Sequence, residues 1–342
     1  MRRLLDAIGL GRDREGRDES GRVIAHRYRL QSLIGKCGAG QRYLGLDEAS
    51  EAQVLILVLP ASLASPQTAA WLSRLDVSFG DLRILRPRAF GVDEGRPYTV
   101  IDAVEGEPLD RVLARGVPPW PVVFELLEEL CDMLAAAHKR GLHHGCLEPS
   151  RIYLGTGGPW LLDFGLASAL ARSDTRSKAG GFAMPGSPEY VAPELLDGRP
   201  PSASADLYSL AVTLWEMVAG APPFVGELGQ IVEGHRSQPI PELVRRADAP
   251  VEIEALLDIA LSKQPDDRFN DTRELVEALR GIQASSSGVW SLSSLNADAS
   301  TPGANLAPTT ELGAMLRTLS VVELWATREL IDKLLEARGA KS

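Results

Sequence analysis

The chain of 342 residues carries 36 Lys and Arg against 46 Asp and Glu, a formal net charge of −10, and this acidic excess repels a polyphosphate backbone and excludes generic nucleic-acid binding. At roughly 100–200 residues per domain the length allows two or three folded units, and 44% hydrophobic with 24% charged residues describes a globular chain rather than a disordered or membrane-embedded one. Cys37, Cys131 and Cys146 lie far apart without a CxxC pair, so neither a disulfide framework nor a zinc ribbon is expected, and a reducing, cytoplasmic compartment fits.

Residues 1–27 alternate Arg with Asp and Glu between glycines, a composition too poor in apolar surface to order itself, and read as a flexible leader. Asp6 interrupts the Arg2-Arg3-Leu4-Leu5 start and no cleavage pattern follows, so no signal peptide is expected. From Tyr28, short apolar runs around 28–34, 41–46, 53–59 and 97–103, separated by Gly, Pro and Asp turns, predict an antiparallel sheet. The longest strongly apolar run, 54–59, is far shorter than the roughly 18–20 residues that cross a bilayer, so no transmembrane segment is expected.

After about residue 107 the apolar period becomes helical. Val123, Leu126, Leu127, Leu130, Leu134 and Ala137 predict a long amphipathic helix ending at Gly141; Leu207, Leu210, Leu214 and Val218 predict another, stopped by Gly220 and Pro222. Further helices are expected at about 252–263 and 272–282. A β-rich lobe over about 28–104 thus precedes an α-helical lobe over about 105–282. Residues 283–310, rich in Ser, Pro and Thr, read as a linker. Residues 311–338 follow as an amphipathic helix with Ser320 and Glu323 as a capping box; its apolar face, including Leu324, Trp325, Ile331 and Leu335, is expected to dock on a partner or on the chain's own domain.

Several motifs fall in one order: Ile34-Gly35-Lys36-Cys37-Gly38-Ala39-Gly40, Val54-Leu55-Ile56-Leu57, His143-His144-Gly145-Cys146-Leu147-Glu148-Pro149, Asp163-Phe164-Gly165, Gly186-Ser187-Pro188-Glu189-Tyr190-Val191-Ala192-Pro193-Glu194 and Asp206-Leu207-Tyr208-Ser209-Leu210. Over residues 28–282 this resembles the protein-kinase family, most like its bacterial Ser/Thr branch. The resemblance implies an α+β, bilobal fold with the nucleotide between the lobes.

It also implies a set of charged groups for phosphoryl transfer, and several positions depart from that set. The strand lysine that would neutralise the phosphates is Leu57; no lysine occurs between Lys36 and Lys139, and 62–82, where a partner glutamate belongs, holds only Asp76 and Asp81 as acids. The catalytic aspartate is Cys146, whose thiol is mostly neutral at pH 7. The following lysine is Glu148, the magnesium-binding asparagine is Arg151, and the arginine that would read an activation-loop phosphate is Gly145. Asp163 remains as the one candidate metal ligand, for magnesium or for a salt bridge to Arg151. The nucleotide pocket, marked by Gly35, Cys37 and Gly40, is degenerate as well: Arg42 and Leu55 replace small aliphatic residues above the adenine and Tyr153 replaces its aliphatic floor, so Leu55 and Tyr153 are expected to fill the slot.

The positions that match are architectural. The resemblance implies that Asp206 holds catalytic-loop amides, that Glu194 pairs with Arg268, and that His144 and Phe164, followed by Gly165, belong to the column joining the lobes. The expected function is therefore a pseudokinase that binds another protein as a scaffold or allosteric regulator, with no cofactor. The competing expectations are a weak ATP- and Mg²⁺-dependent phosphotransferase organised around Asp163 and Glu148, and a structural subunit of a larger assembly. Ser173, Thr175, Ser177 and Ser187 are candidate phosphorylation sites, and Cys146 beside His143 and His144 is a candidate Cys–His nucleophile set against a buried inert thiol.

Overall fold

The computed structural model describes residues 18–37, 40–64, 83–155, 157–167, 186–244 and 249–286. A six-stranded antiparallel sheet in the order β1-β2-β3-β4-β6-β5 is built from Val23–Ile24 (β1), Tyr28–Cys37 (β2), Gly40–Asp47 (β3), Ala52–Val58 (β4), Ala89–Asp93 (β5) and Arg96–Asp102 (β6). Strand β4 lies inside it, paired with β3 and β6, and residues 54–58 are all buried. Because side chains alternate along a strand, Val54, Ile56 and Val58 face one core with Tyr28, Leu30, Tyr43, Tyr98 and Val100. Leu55 and Leu57 face the opposite way, toward the second lobe.

That lobe begins with Glu107–Pro108 (β7), which with Ile152–Gly155 (β8) and Gly158–Leu161 (β9) forms a three-stranded sheet. Its helices are Leu109–Arg115 (α1), Trp120–His138 (α2), Pro193–Leu196 (α3), Ala203–Ala219 (α4), Leu228–Arg236 (α5), Ile253–Ala260 (α6) and Thr272–Ser286 (α7). Helix α4 is the axis of the large core, buried almost all round, as a near-continuous apolar helix must be. It starts where Ser202 Oγ accepts the Ala205 N–H at 3.1 Å. It stops at Gly220, whose φ of 86° closes the last turn in a conformation that glycine adopts without strain. Ser202→Ala is expected to cost about 1 kcal/mol in a denaturant titration, the typical worth of such a cap.

Two predicted boundaries move. Residues 18–27, placed in the leader, are folded: β1 pairs with β2, and Arg22 makes ion pairs with Glu19, Asp93 and Glu94. Charge patterning concealed this, because two of the three acids that hold Arg22, Asp93 and Glu94, lie some 70 positions away. Residues 283–286, placed in the linker, continue α7, where the Trp120 indole donates to Gln283 Oε1 at 2.9 Å. The predicted leader before Asp18, most of the linker, and the terminal segment with Leu324, Trp325, Ile331 and Leu335 lie outside the described residues, as do Ser173, Thr175 and Ser177. Among the described residues no helix is long and apolar enough to cross a membrane.

Candidate functional site

The two lobes meet over the loop that carries His144 to Arg151. Its backbone is hung from Asp206 in α4, a fully buried carboxylate that accepts the amides of His144 at 2.8 Å and Gly145 at 2.7 Å and the His138 ring at 2.8 Å. His144 Nε2 donates to the Leu162 carbonyl at 2.9 Å, so Nδ1 is the bare nitrogen, and the ring stands edge-on to Phe164 at 5.2 Å. Burial pushes the His144 pKa down to about 4, so the ring is neutral at pH 7. At Gly145, φ is +70° and a Cβ would lie 2.7 Å from Pro201 Cβ and 2.8 Å from Ala167 Cβ. No side chain fits there, and an arginine least of all. Farther out, Arg268 grips Glu194 through two bonds of 2.8 Å while its Nε donates to the Ser262 carbonyl.

Four charged side chains are gathered at the bottom of the cleft. Arg151 Nη1 donates to Asp163 Oδ2 at 2.9 Å and its Nε to Glu148 Oε1 at 3.3 Å. Arg42, on β3, reaches down from the other lobe to the same Asp163 oxygen. Glu148 further accepts the Ser150 hydroxyl and the Ser187 amide, both at 2.6 Å, which ties the segment after Gly186 to the loop. None of the four is more than 2% exposed, and two cations against two anions leave the group formally neutral. Burial alone would raise the Asp163 pKa, but the charges of Arg42 and Arg151 outweigh it and hold the carboxyl below its ordinary range. Glu148 is held low in the same way by Arg151 and its hydrogen bonds, against burial. Asp163 also sits at φ 62°, a left-handed conformation costing about 1–2 kcal/mol outside glycine, so its position is imposed by these contacts.

Apolar groups close the rest of the cleft. Leu57 packs with Cys37, Leu59, Leu63 and Leu166, which places a hydrocarbon cluster at the strand-lysine position. Leu55 packs with Ile101, Tyr153 and Leu162, bridging the lobes. The end of β2 is drawn inward: Cys37 is buried, its sulfur taking donors from Arg42 Nη2 and the Ser150 hydroxyl, each at 3.3 Å, while Arg111 of α1 donates to the Ile34 carbonyl. Gly40 pairs with Cys37 at the end of the β2–β3 ladder, and Gly35 pairs with Arg42 within it.

The three cysteines are buried, and burial raises the pKa of each. Cys146 Sγ lies 3.6 Å from His144 Nδ1, a separation that invites comparison with a Cys–His nucleophile. The thiol is nonetheless the weaker acid and the ring too weak a base to take its proton. Among the described residues no group of His, Cys, Asp and Glu is disposed to hold a metal ion. The sequence expectation placed Arg42 over the adenine; the structure turns it onto Asp163 instead. Neither that reach nor the part of Cys37 in the closure had been expected from sequence, since both depend on how far the sheet leans over the second lobe.

Comparison with known proteins accords with this geometry. Residues 28–279 match the protein kinase domain family. The chain is 36% identical over 230 residues to the serine/threonine-protein kinase PkaA of Streptomyces coelicolor, covering 66% of this chain and 41% of that one. It is 30% identical over 283 residues to PknA of Mycobacterium tuberculosis (77% and 63%) and 29% identical over 265 residues to PknB of Mycobacterium leprae (74% and 42%). The match therefore spans less than two thirds of each relative's length. Among solved structures, Rad53 residues 1–466 in complex with AMP-PNP shares the fold with a TM-score of 0.53 and 18% identity, over 76% of this chain and 67% of that one.

Proposed function

The chain belongs to the protein kinase family, bacterial Ser/Thr branch, and on that premise we propose that it is a catalytically inactive member that acts by binding another protein, as a scaffold or allosteric regulator in the cytoplasm. One arrangement carries the reading: the carboxylate that would hold magnesium, Asp163, is committed to Arg42 and Arg151. ATP with magnesium does not fit these residues. A hard divalent cation needs oxygen ligands, and here guanidinium groups stand in that place. The phosphates would meet Leu57 and its apolar neighbours, and the base would meet Leu55 against Tyr153. Cys146, a neutral thiol, cannot accept the proton of an attacking hydroxyl as a carboxylate does.

The relatives are kinases by name, and phosphotransfer through Asp163 and Glu148 is the competing reading. It requires both arginines to release Asp163 and Arg151 to release Glu148 as well, stranding buried charge that costs several kcal/mol per ion. The folding determinants Asp206, Glu194 and Arg268 retain their contacts, so the body is maintained as a rigid platform for a partner. Incubating the full chain with γ-labelled ATP, magnesium and a general protein substrate is expected to give no incorporation above background. Incorporation that disappears in Asp163→Asn would overturn the proposal.

A further inference from the structure

Arg42 and Tyr153 are each only 2% exposed and Asp163 is fully buried. All three meet at the seam between the lobes: Arg42 on β3 of the first, Tyr153 on β8 and Asp163 just after β9 of the second. There Asp163 Oδ2 takes N–H groups from both Arg42 and Arg151, while Oδ1 takes none. Arg42 Nε, Arg42 Nη1 and the Tyr153 hydroxyl are likewise cut off from solvent without a partner among the described residues. Because donors and an acceptor are orphaned together, the set does not describe a ligand site. A buried polar atom left unpaired weakens the arrangement that buries it, and each such atom calls for an explanation. These four share one: parting the lobes wets them all at once. Against this, other contacts hold the seam closed. Leu55 of β4 packs with Tyr153 and Leu162, the Ser150 hydroxyl bonds Cys37 Sγ at 3.3 Å, and Arg111 donates to the Ile34 carbonyl at the exposed edge.

We propose that the seam is a clasp built into the fold. The lobes part as units, apolar contact and the Arg42–Asp163 pair drawing them together while the hydration of Arg42, Tyr153 and Asp163 draws them apart. A partner that touches both lobes then selects between the two states, and its affinity is set by their balance. The inference rests on the reading above only in that no nucleotide holds the cleft.

Two cysteines supply the test. Cys37 lies at the seam, packed with Leu57, whereas Cys131 lies in the core of the second lobe, and each is 1% exposed. The full chain is labelled with N-ethylmaleimide in urea well below the unfolding transition, and mass spectrometry reads each site. Cys37 is expected to react at least about tenfold faster than Cys131 and with a weaker dependence on urea, because parting the lobes exposes less surface than unfolding. Tyr153→Phe removes one orphan and is expected to slow Cys37 about tenfold, within the range that one unpaired buried hydroxyl accounts for, leaving Cys131 no faster. Leu55→Ala removes apolar contact and is expected to move Cys37 the opposite way. Labelling of Cys37 no faster than that of Cys131 overturns the clasp. So does a Tyr153→Phe rate equal to or above wild type, as an enclosed water already pairing the hydroxyl, or fraying of the strand end alone, would give. ATP with magnesium is a separate arm: slower Cys37 labelling there contradicts the inactive reading and leaves the clasp, measured without nucleotide, standing.

Discussion

Arg151→Met is expected to cost about 3–5 kcal/mol of stability, the range for removing one partner of a buried ion pair, and urea titration at pH 7 measures it. Arg151 is fully buried and is a counter-ion to both Asp163 and Glu148. Methionine replaces its volume well, so the loss comes from charge: two buried carboxylates would be left facing Arg42 alone. The double variant Arg151→Met with Glu148→Gln leaves the Arg42–Asp163 pair balanced and is expected to recover part of the loss. If the single variant is as stable as wild type, the four groups do not neutralise one another as described.

Acid is expected to destabilise the chain steeply well above the carboxylate range. Burial holds His144 at about 4 and, with Lys263 nearby, His235 at about 3, whereas an unfolded histidine titrates near 6.5. Between those values the unfolded chain binds protons that the native rings refuse, so lowering the pH favours unfolding. The native rings cannot readily accept one. His144 donates from Nε2 to Leu162 while its Nδ1, buried, accepts the Cys146 amide at 3.4 Å, and His235 donates from Nε2 to the Glu189 carbonyl while Nδ1 takes the Tyr208 hydroxyl at 2.9 Å. Each ring contributes a slope approaching 1.4 kcal/mol per pH unit, and the two together remove on the order of 6–8 kcal/mol by about pH 3–4, comparable with the whole stability of an ordinary domain. At still lower pH, Asp163 and Glu148 act in the same direction. Their folded pKa values are depressed, so the stability they confer is present above the unfolded carboxylate pKa and lost as pH falls through the folded one. Denaturant titrations from pH 7 to pH 5 check this, with His235→Gln expected to lower the slope by about one proton. A stability independent of pH over that range contradicts the neutral buried rings.

The fold was legible because its signals are local. Periodicity placed the strands from Tyr28 and the helices around Leu130 and Leu214 within a few residues of where they lie, since burying an apolar stripe dictates the period. Parts of the site were legible for the same reason: Leu55, Leu57 and Tyr153 are large apolar groups at positions facing the cleft. What escaped was pairing. Glu148 and Arg151, taken one at a time, read as two departures from the expected set of charges; three positions apart on one turn, they are an ion pair, and that spacing was readable. Arg42 on Asp163, separated by 121 positions, was not, because its reach depends on the angle between two lobes that no local pattern encodes. The folded stretch before Tyr28 was missed likewise, its arginine stabilised by acids far along the chain.

In this cleft the chain's own arginines take the place of a metal-bound nucleotide. Isothermal titration of the full chain with ATP and magnesium up to millimolar concentration, with the unfolding midpoint followed alongside, tests this most directly. No binding heat and an unmoved midpoint are predicted. Saturable binding that stabilises the protein by about 2.7 kcal/mol at 100 times the dissociation constant, and that is lost in Asp163→Asn, would contradict it.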